Sequence, residues 1–201
     1  MRRYIRIILL LMICLVFASC SSVTPLSDKD ADIYAKIHKR YSKMTSYTSE
    51  VTICAKSNKT ENTYTAKQYY LSPDKMLTEF DDGLKILING ATSQVKMGDT
   101  EAVFSAKDDI YYLFINEFFR LYYLSQDTAL SVENHDLGSL TRLTAYLPSA
   151  KADRYKLVLT INNKTLSPDR LSVCDAGGNE VLYADFKSFI INDKISEEIF
   201  S

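Results

Sequence analysis

Leu84-Lys-Ile-Leu-Ile-Asn-Gly-Ala-Thr-Ser-Gln-Val-Lys-Met97 is the stretch from which the fold of this chain can be read. Two short apolar-rich runs, 84–88 and 94–97, flank Asn89-Gly90. Both turn residues tolerate the positive φ of a tight turn, and Asn-Gly between strand-like runs is the strongest short-range hairpin signal. A β-hairpin is predicted here.

The same period of two extends in both directions. Upstream, 50–53, 64–71 and 75–80 read as strands, and downstream 102–105 does too. Ser72-Pro73-Asp74, Asp81-Asp82-Gly83 and Gly98-Asp99 separate them as turns. Parallel neighbours need crossovers of roughly a dozen residues or more, and these connections are too short, so the strands form an antiparallel meander. After residue 128 the pattern resumes in 129–133, 138–147, 154–161, 166–175 and 180–191, with a last short piece near Ile199-Phe200. Turns are expected at Pro148-Ser149, Asn162-Asn163, Gly177-Gly178 and Asn192-Asp193. The prediction is an α+β fold, mainly antiparallel β, of about eleven strands and two helices.

The first predicted helix covers 31–46. Ile33, Tyr34, Ile37, Tyr41 and Met44 recur at spacings of three and four, with Lys36, Lys39, Arg40 and Lys43 mainly elsewhere. Asp28 or Asp30 is placed to cap it. Its basic side suits either anionic lipid or, as is commoner for such runs, plain solvent. The second predicted helix, 108–125, is apolar on nearly every side: Ile110, Leu113, Phe114, Phe118 and Leu121 share one face, and Tyr111, Tyr112, Ile115, Phe119, Tyr122 and Tyr123 line the other. Such a helix is buried on more than one side or meets a partner. Tyr111, Tyr112, Phe119, Tyr122 and Tyr123 are therefore the candidate partner- or lipid-binding residues, with a core plug as the alternative use.

At the N-terminus, Arg2, Arg3 and Arg6 precede an apolar run of 11 residues, 7–17, and then Ala18-Ser19-Cys20. The run is short of the roughly 20 residues a spanning helix needs. The pattern is a secretory signal with a lipobox, cleaved before Cys20, whose thiol would carry the lipid. The expected organisation is a signal peptide at 1–19, a lipidated linker at 20–30 and a single domain at 31–201. Of the 24 basic residues the signal removes three, leaving 21 against 25 acidic ones, so nucleic acid is excluded as a natural partner. Cys54 and Cys174 remain; they are two buried thiols or one disulfide, which spacing does not decide.

Neither histidine has the spacing of a metal site. His38 lies on the first helix and His135 in a polar turn with Asn134 and Asp136, and neither sits in HExxH or near a cysteine at ligand spacing. Asp81-Asp82 and Glu197-Glu198 stand beside a turn or the terminus, where solvated acids are ordinary. No GxSxG or phosphate-cradling glycine loop occurs. A non-enzymatic protein with no cofactor is expected.

The chain also resembles the LolA/LolB class of lipoprotein-handling domains. The resemblance is carried by the amphipathic opening, Leu71-Ser-Pro-Asp74, Asn89-Gly90 and the aromatic helical insertion. It continues in Leu166-Ser-Pro-Asp-Arg-Leu-Ser-Val-Cys-Asp-Ala-Gly-Gly178, Ala184-Asp-Phe186, Phe189-Ile-Ile-Asn192 and Glu198-Ile-Phe200. It implies an open, curved half-barrel with helices over the concave face, which in carriers of the class holds acyl chains. Within the class the chain is most similar to the GerS family of germination lipoproteins of spore-forming bacteria. That likeness implies a protein anchored at the outer face of a bacterial membrane, the forespore membrane included, which binds and activates a cell-wall amidase acting on spore cortex peptidoglycan. Only the lipidated Cys20 carries over as a functional residue. The other implied function is a lipid- or lipoprotein-binding module with an apolar concavity. The open edges of a half-barrel also suit a homodimer formed by strand exchange.

Overall fold

The computed structural model describes residues 28–57, 60–104, 109–124, 128–135 and 138–201. The expected signal peptide, Cys20 and the part of the expected linker up to residue 27 lie outside them. The chain divides into two compact units, Met1–Asp32 and Ile33–Ser201. The described part of the first is the opening of helix α1 (Asp28–Tyr41). The second holds the rest of α1 and every strand.

Eleven antiparallel strands form one open sheet: β1 (Ser46–Lys56), β2 (Glu61–Leu71), β3 (Lys75–Phe80), β4 (Leu84–Asn89), β5 (Thr92–Met97), β6 (Thr100–Phe104), β7 (Thr128–His135), β8 (Gly138–Lys151), β9 (Arg154–Asn162), β10 (Pro168–Cys174) and β11 (Glu180–Ile191). Their order is β6-β5-β4-β3-β2-β1-β11-β10-β9-β8-β7. Two meanders thus meet at a single seam, β1 with β11, and the last strand of the first meander and the first strand of the second are the two edges. The predicted Asn89-Gly90 turn joins β4 to β5, with Gly90 at φ 59°.

This topology dictates where the helices go. The chain must travel from one edge of the sheet to the other between β6 and β7, so the aromatic segment is carried across one face. On that face Tyr47, Val51, Ile53, Tyr70, Met76, Ile88, Leu143, Leu157, Leu159, Leu171 and Ala184 are buried and pack with Ile37, Tyr41, Phe114 and Phe118 of the helical segments in one continuous core. Burying each large side chain contributes about 1.5–3 kcal/mol, which makes this layer the main source of stability.

Four local expectations are corrected. The opening helix ends at Tyr41, before Ser46, because the end of β11 pulls the chain into β1. Asn192 Oδ1 accepts the Thr45 N–H at 2.9 Å, and Ser46 Oγ donates to the Asp193 carbonyl at 2.6 Å. The aromatic helix is broken into a 3-10 turn, Asp109–Leu113, and α2 (Ile115–Leu124). Tyr111, Leu113, Phe114 and Ile115 are all buried, and one continuous helix cannot turn so many near-consecutive side chains inward. Pro148 does not turn the chain: β8 runs through it, and the ladder to β9 shifts between Tyr146 and Lys151, as expected where a residue lacks an N–H. Glu197–Phe200 is a 3-10 turn, not a strand; its neighbours β3 and β4 are already paired on both sides, so Phe200 packs face-on against Leu77 and Leu87.

Two backbone irregularities keep the core intact. Between Glu50–Ser188 and Val51–Phe186 the register slips by one, which returns both Phe186 and Phe189 to the core side although they are three residues apart. Leu166 adopts φ 55°, a conformation costing a side-chain-bearing residue about 1 kcal/mol or more, and its carbonyl accepts the Tyr41 hydroxyl at 2.8 Å.

Candidate functional site

The helix layer is organised from β1, the central strand. Tyr47 is fully buried there, and its hydroxyl accepts the N–H of Ile115, the first residue of α2, at 3.2 Å. The start of a helix leaves N–H groups without intrahelical partners, and this side chain takes one. α1 and α2 are joined through rings: Tyr41 stacks on Phe119 with centroids 4.4 Å apart, Tyr34 lies 6.4 Å from Tyr122, and His38 meets Tyr123 edge-on at 5.3 Å.

Of the five candidate binding residues, Tyr111, Phe119 and Tyr122 are buried and Tyr112 is partly buried. Tyr123 is 43 % exposed, next to Leu124 at 70 %. Burial, with Tyr34 alongside, pushes the Tyr123 phenol up to about 12. The Tyr111 hydroxyl donates to the buried carboxylate of Glu117, which also receives Nε of Arg120 at 2.7 Å and its Nη2 at 2.5 Å. Burial and then the bond to Glu117 raise the Tyr111 phenol far above its ordinary range. Arg120 keeps half of its side chain in solvent, so this ion pair lies at the rim of the layer and holds a guanidinium in fixed geometry on the buried carboxylate.

Under the layer, the floor contains polar groups that the sequence reading passed over. Gln68, Thr78 and Ser93 are buried, and Gln68 Oε1, Thr78 Oγ1, Ser93 Oγ and Asn116 Oδ1 have no hydrogen-bond partner. Gln68 lies opposite Thr78 in the β2–β3 ladder, and its Nε2 reaches the Leu113 carbonyl at 3.4 Å. The signal was present in the phase of β2, where Gln68 occupies an inward position between Ala66 and Tyr70. Along the same face Val51, Ala66 and Phe80 share one register row, and across the turn after Phe80 Leu84 lies opposite Met97. Met97 is 55 % exposed, and Tyr64, edge-on to Phe80 at 6.1 Å, is 44 % exposed. The helix layer therefore leaves an apolar strip of the concave face accessible beyond its polar floor.

The opposite face is polar. A groove of about 510 Å³ over β8, β9 and β10 is lined by Arg142, Lys156, Asp169, Arg170 and Glu180 among others. Arg170 is clamped by Asp185 at 2.6 and 2.9 Å and by Glu180 at 3.1 Å, with its guanidinium 4.0 Å from the Tyr183 ring. Cys54 lies opposite Tyr183 and Tyr183 opposite Ser172, two residues from Cys174. Two strand spacings, about 9.6 Å, exceed the roughly 7 Å Cα limit for a disulfide. Both thiols are free and buried.

The candidate groups singled out in the sequence have the following partners among the described residues. The Cys54 thiol donates to Glu61 at 3.1 Å, His38 makes ring contacts with Tyr34 and Tyr123, and His135 ends β7 rather than lying in the turn. Asp82 accepts the Leu84 N–H at 3.1 Å to close its turn, and Glu197 pairs with Lys75 at 2.6 Å. Among the described residues no group of three or more His, Cys, Asp and Glu is placed to hold a metal.

The chain is similar to an uncharacterised conserved protein of Thermus thermophilus, 12 % identical with a TM-score of 0.52 over 86 % of this chain and 93 % of that one. A putative outer membrane lipoprotein-sorting protein domain from Vibrio parahaemolyticus is 12 % identical, with a TM-score of 0.48 over 86 % and 96 %. A chain of the CwlD amidase–GerS lipoprotein complex from Clostridioides difficile is 20 % identical, with a TM-score of 0.42 over 86 % and 98 %. No curated protein matches the sequence. One family model spans residues 1–200, and by that match the chain belongs to the YdcC-like family of sporulation proteins.

Proposed function

We propose that this protein is a non-catalytic, extracytoplasmic binding module, tethered through acylated Cys20, that receives a lipid-bearing or protein partner at the open part of its concave face. The observation that carries this is the strip Tyr64–Phe80–Leu84–Met97, apolar and partly exposed in a sheet whose concave side is otherwise filled by its own aromatic residues. A lipoprotein-binding role uses that strip as the seat for an acyl chain or an apolar segment. Native mass spectrometry of residues 21–201 tests it: lipid at near-stoichiometric occupancy supports the seat, and a lipid-free protein that Met97→Glu does not alter in any binding assay counts against it.

A second reading is favoured by membership in a family of sporulation proteins. In it the partner is a cell-wall amidase required for spore germination, which the module binds and activates without supplying a catalytic group. Cross-linked pull-down from sporulating cells, followed by amidase assay of the eluate, checks this reading. An eluate free of amidase activity would withdraw it. Cys20→Ala checks the tether itself: it should abolish incorporation of a fatty-acid probe, and labelling that persists would remove the anchor from both readings.

A further inference from the structure

The outward side of the helix layer combines features that none of the roles above uses. Helix α1 and the turn after it carry Lys29, Lys36, Lys39, Arg40 and Lys43 against Asp28, Asp30 and Asp32; the acids are confined to the first five residues of the helix, and from Ile33 to Ser49 there are four lysine and arginine residues, His38 and no acid. Lys39 and Lys43 are exposed, while Ile37 and Tyr41 of the same stretch are buried. The neighbouring helix contributes Tyr123 and Leu124, the latter 70 % exposed, and its own charge pair Glu117–Arg120 is internally neutral. After loss of the signal the chain is formally acidic, with 25 acidic against 21 basic residues, so this face is positive on a negative protein.

We propose that this face rests on an anionic phospholipid bilayer, the one to which the chain is tethered. The inference relies on the tether for proximity: seven residues lie between Cys20 and Asp28, and the eight Cα–Cα steps this makes reach at most about 28 Å when extended. A face held that close, with exposed lysines on one helix and an exposed aromatic and aliphatic tip on the other, meets the two requirements of interfacial binding, apolar insertion and attraction to anionic headgroups. Docked this way, the layer orients the protein and leaves the sheet edges and the outer polar groove facing away from the lipid. A basic face of this kind on an acidic protein also sets the direction of approach, since the net charge repels the membrane and the patch alone attracts it.

The test leaves the acyl chain out, so that failure of the tether and failure of docking are separable. Residues 21–201 retain all eleven strands and the core, which lie in the unit Ile33–Ser201. Their partition is measured by flotation with vesicles of phosphatidylcholine alone and of phosphatidylcholine with phosphatidylglycerol. Binding should be about tenfold or more in favour of the anionic vesicles, since each basic residue near such a surface is worth about fivefold. It should fall about tenfold in Lys39→Glu/Lys43→Glu, and also in Tyr123→Ser/Leu124→Ser. Raising salt to about 1 M, where the screening length is about 3 Å, should remove the preference. Equal partition into both vesicle types overturns the proposal. So does an unaltered anionic preference in the lysine variant, or loss of binding by that variant to a protein partner only. The vesicle and salt arms use the unsubstituted chain, so they decide the matter even if a variant fails to fold.

Discussion

The hydroxyl of Tyr47 and the backbone N–H of Ile115, 68 residues apart in sequence, are joined by a hydrogen bond of 3.2 Å in the interior. It ties the central strand to the first residue of α2, so the position of the helix layer on the sheet depends on one phenol. Replacing Tyr47 with Phe keeps the ring and removes the acceptor, leaving a buried donor unpaired. The expected cost is about 1–3 kcal/mol. Urea unfolding of the variant checks it: an unchanged midpoint would mean that Ile115 has another partner.

Alkaline pH should unfold the protein through its tyrosines. Burial raises Tyr41, Tyr47 and Tyr111 above the ordinary phenol range, and Tyr123 up to about 12. A folded value above the unfolded one means that this stability is fully present below about pH 10 and is lost as pH rises through the folded values. Phenolate absorbance should therefore rise in two stages, exposed tyrosines first and the buried set together with loss of circular dichroism. A single non-cooperative rise near the ordinary value, with structure retained, would contradict the burial.

The two cysteines should behave as inert core thiols. Cys54 and Cys174 are free and buried, and burial raises the Cys174 thiol. A thiol reagent at neutral pH should label neither in the folded protein and both after denaturation. A mobility difference between reduced and non-reduced unfolded samples would reveal a bond that the strand spacing forbids.

The edges β6 and β7 have a neighbouring strand on one side only. Unpaired edges favour pairing between copies, and a homodimer through strand exchange is the expected form at high concentration. Val103 on β6 is exposed, and Val103→Lys should shift the equilibrium toward monomer. Light scattering across a wide concentration range decides it: a protein that is monomeric throughout excludes edge pairing.

Period and turn chemistry alone determined most of the architecture. Alternation in β2, β3, β4 and β11, short turn-rich connections, and an opening helix with apolar residues three and four apart left an antiparallel meander with two covering helices as the solution. These are local properties, set by side-chain direction and by the φ range of residues such as Asn89 and Gly90. The lipobox expectation is equally local, because it is read as a linear signal. Tertiary structure decided what depends on neighbours distant in sequence. Asn192 and Asp193 ended the first helix at Tyr41, the demand to bury Tyr111, Leu113, Phe114 and Ile115 together broke the second, and saturated strands turned Glu197–Phe200 from a strand into a packed turn. The same holds for the site. Composition singled out the tyrosines of the aromatic segment. The crossing from one sheet edge to the other is what buried Tyr111, Phe119 and Tyr122, left Tyr123 at the surface and placed it beside His38, because a helix apolar on all sides shows outward only the side its neighbours do not cover.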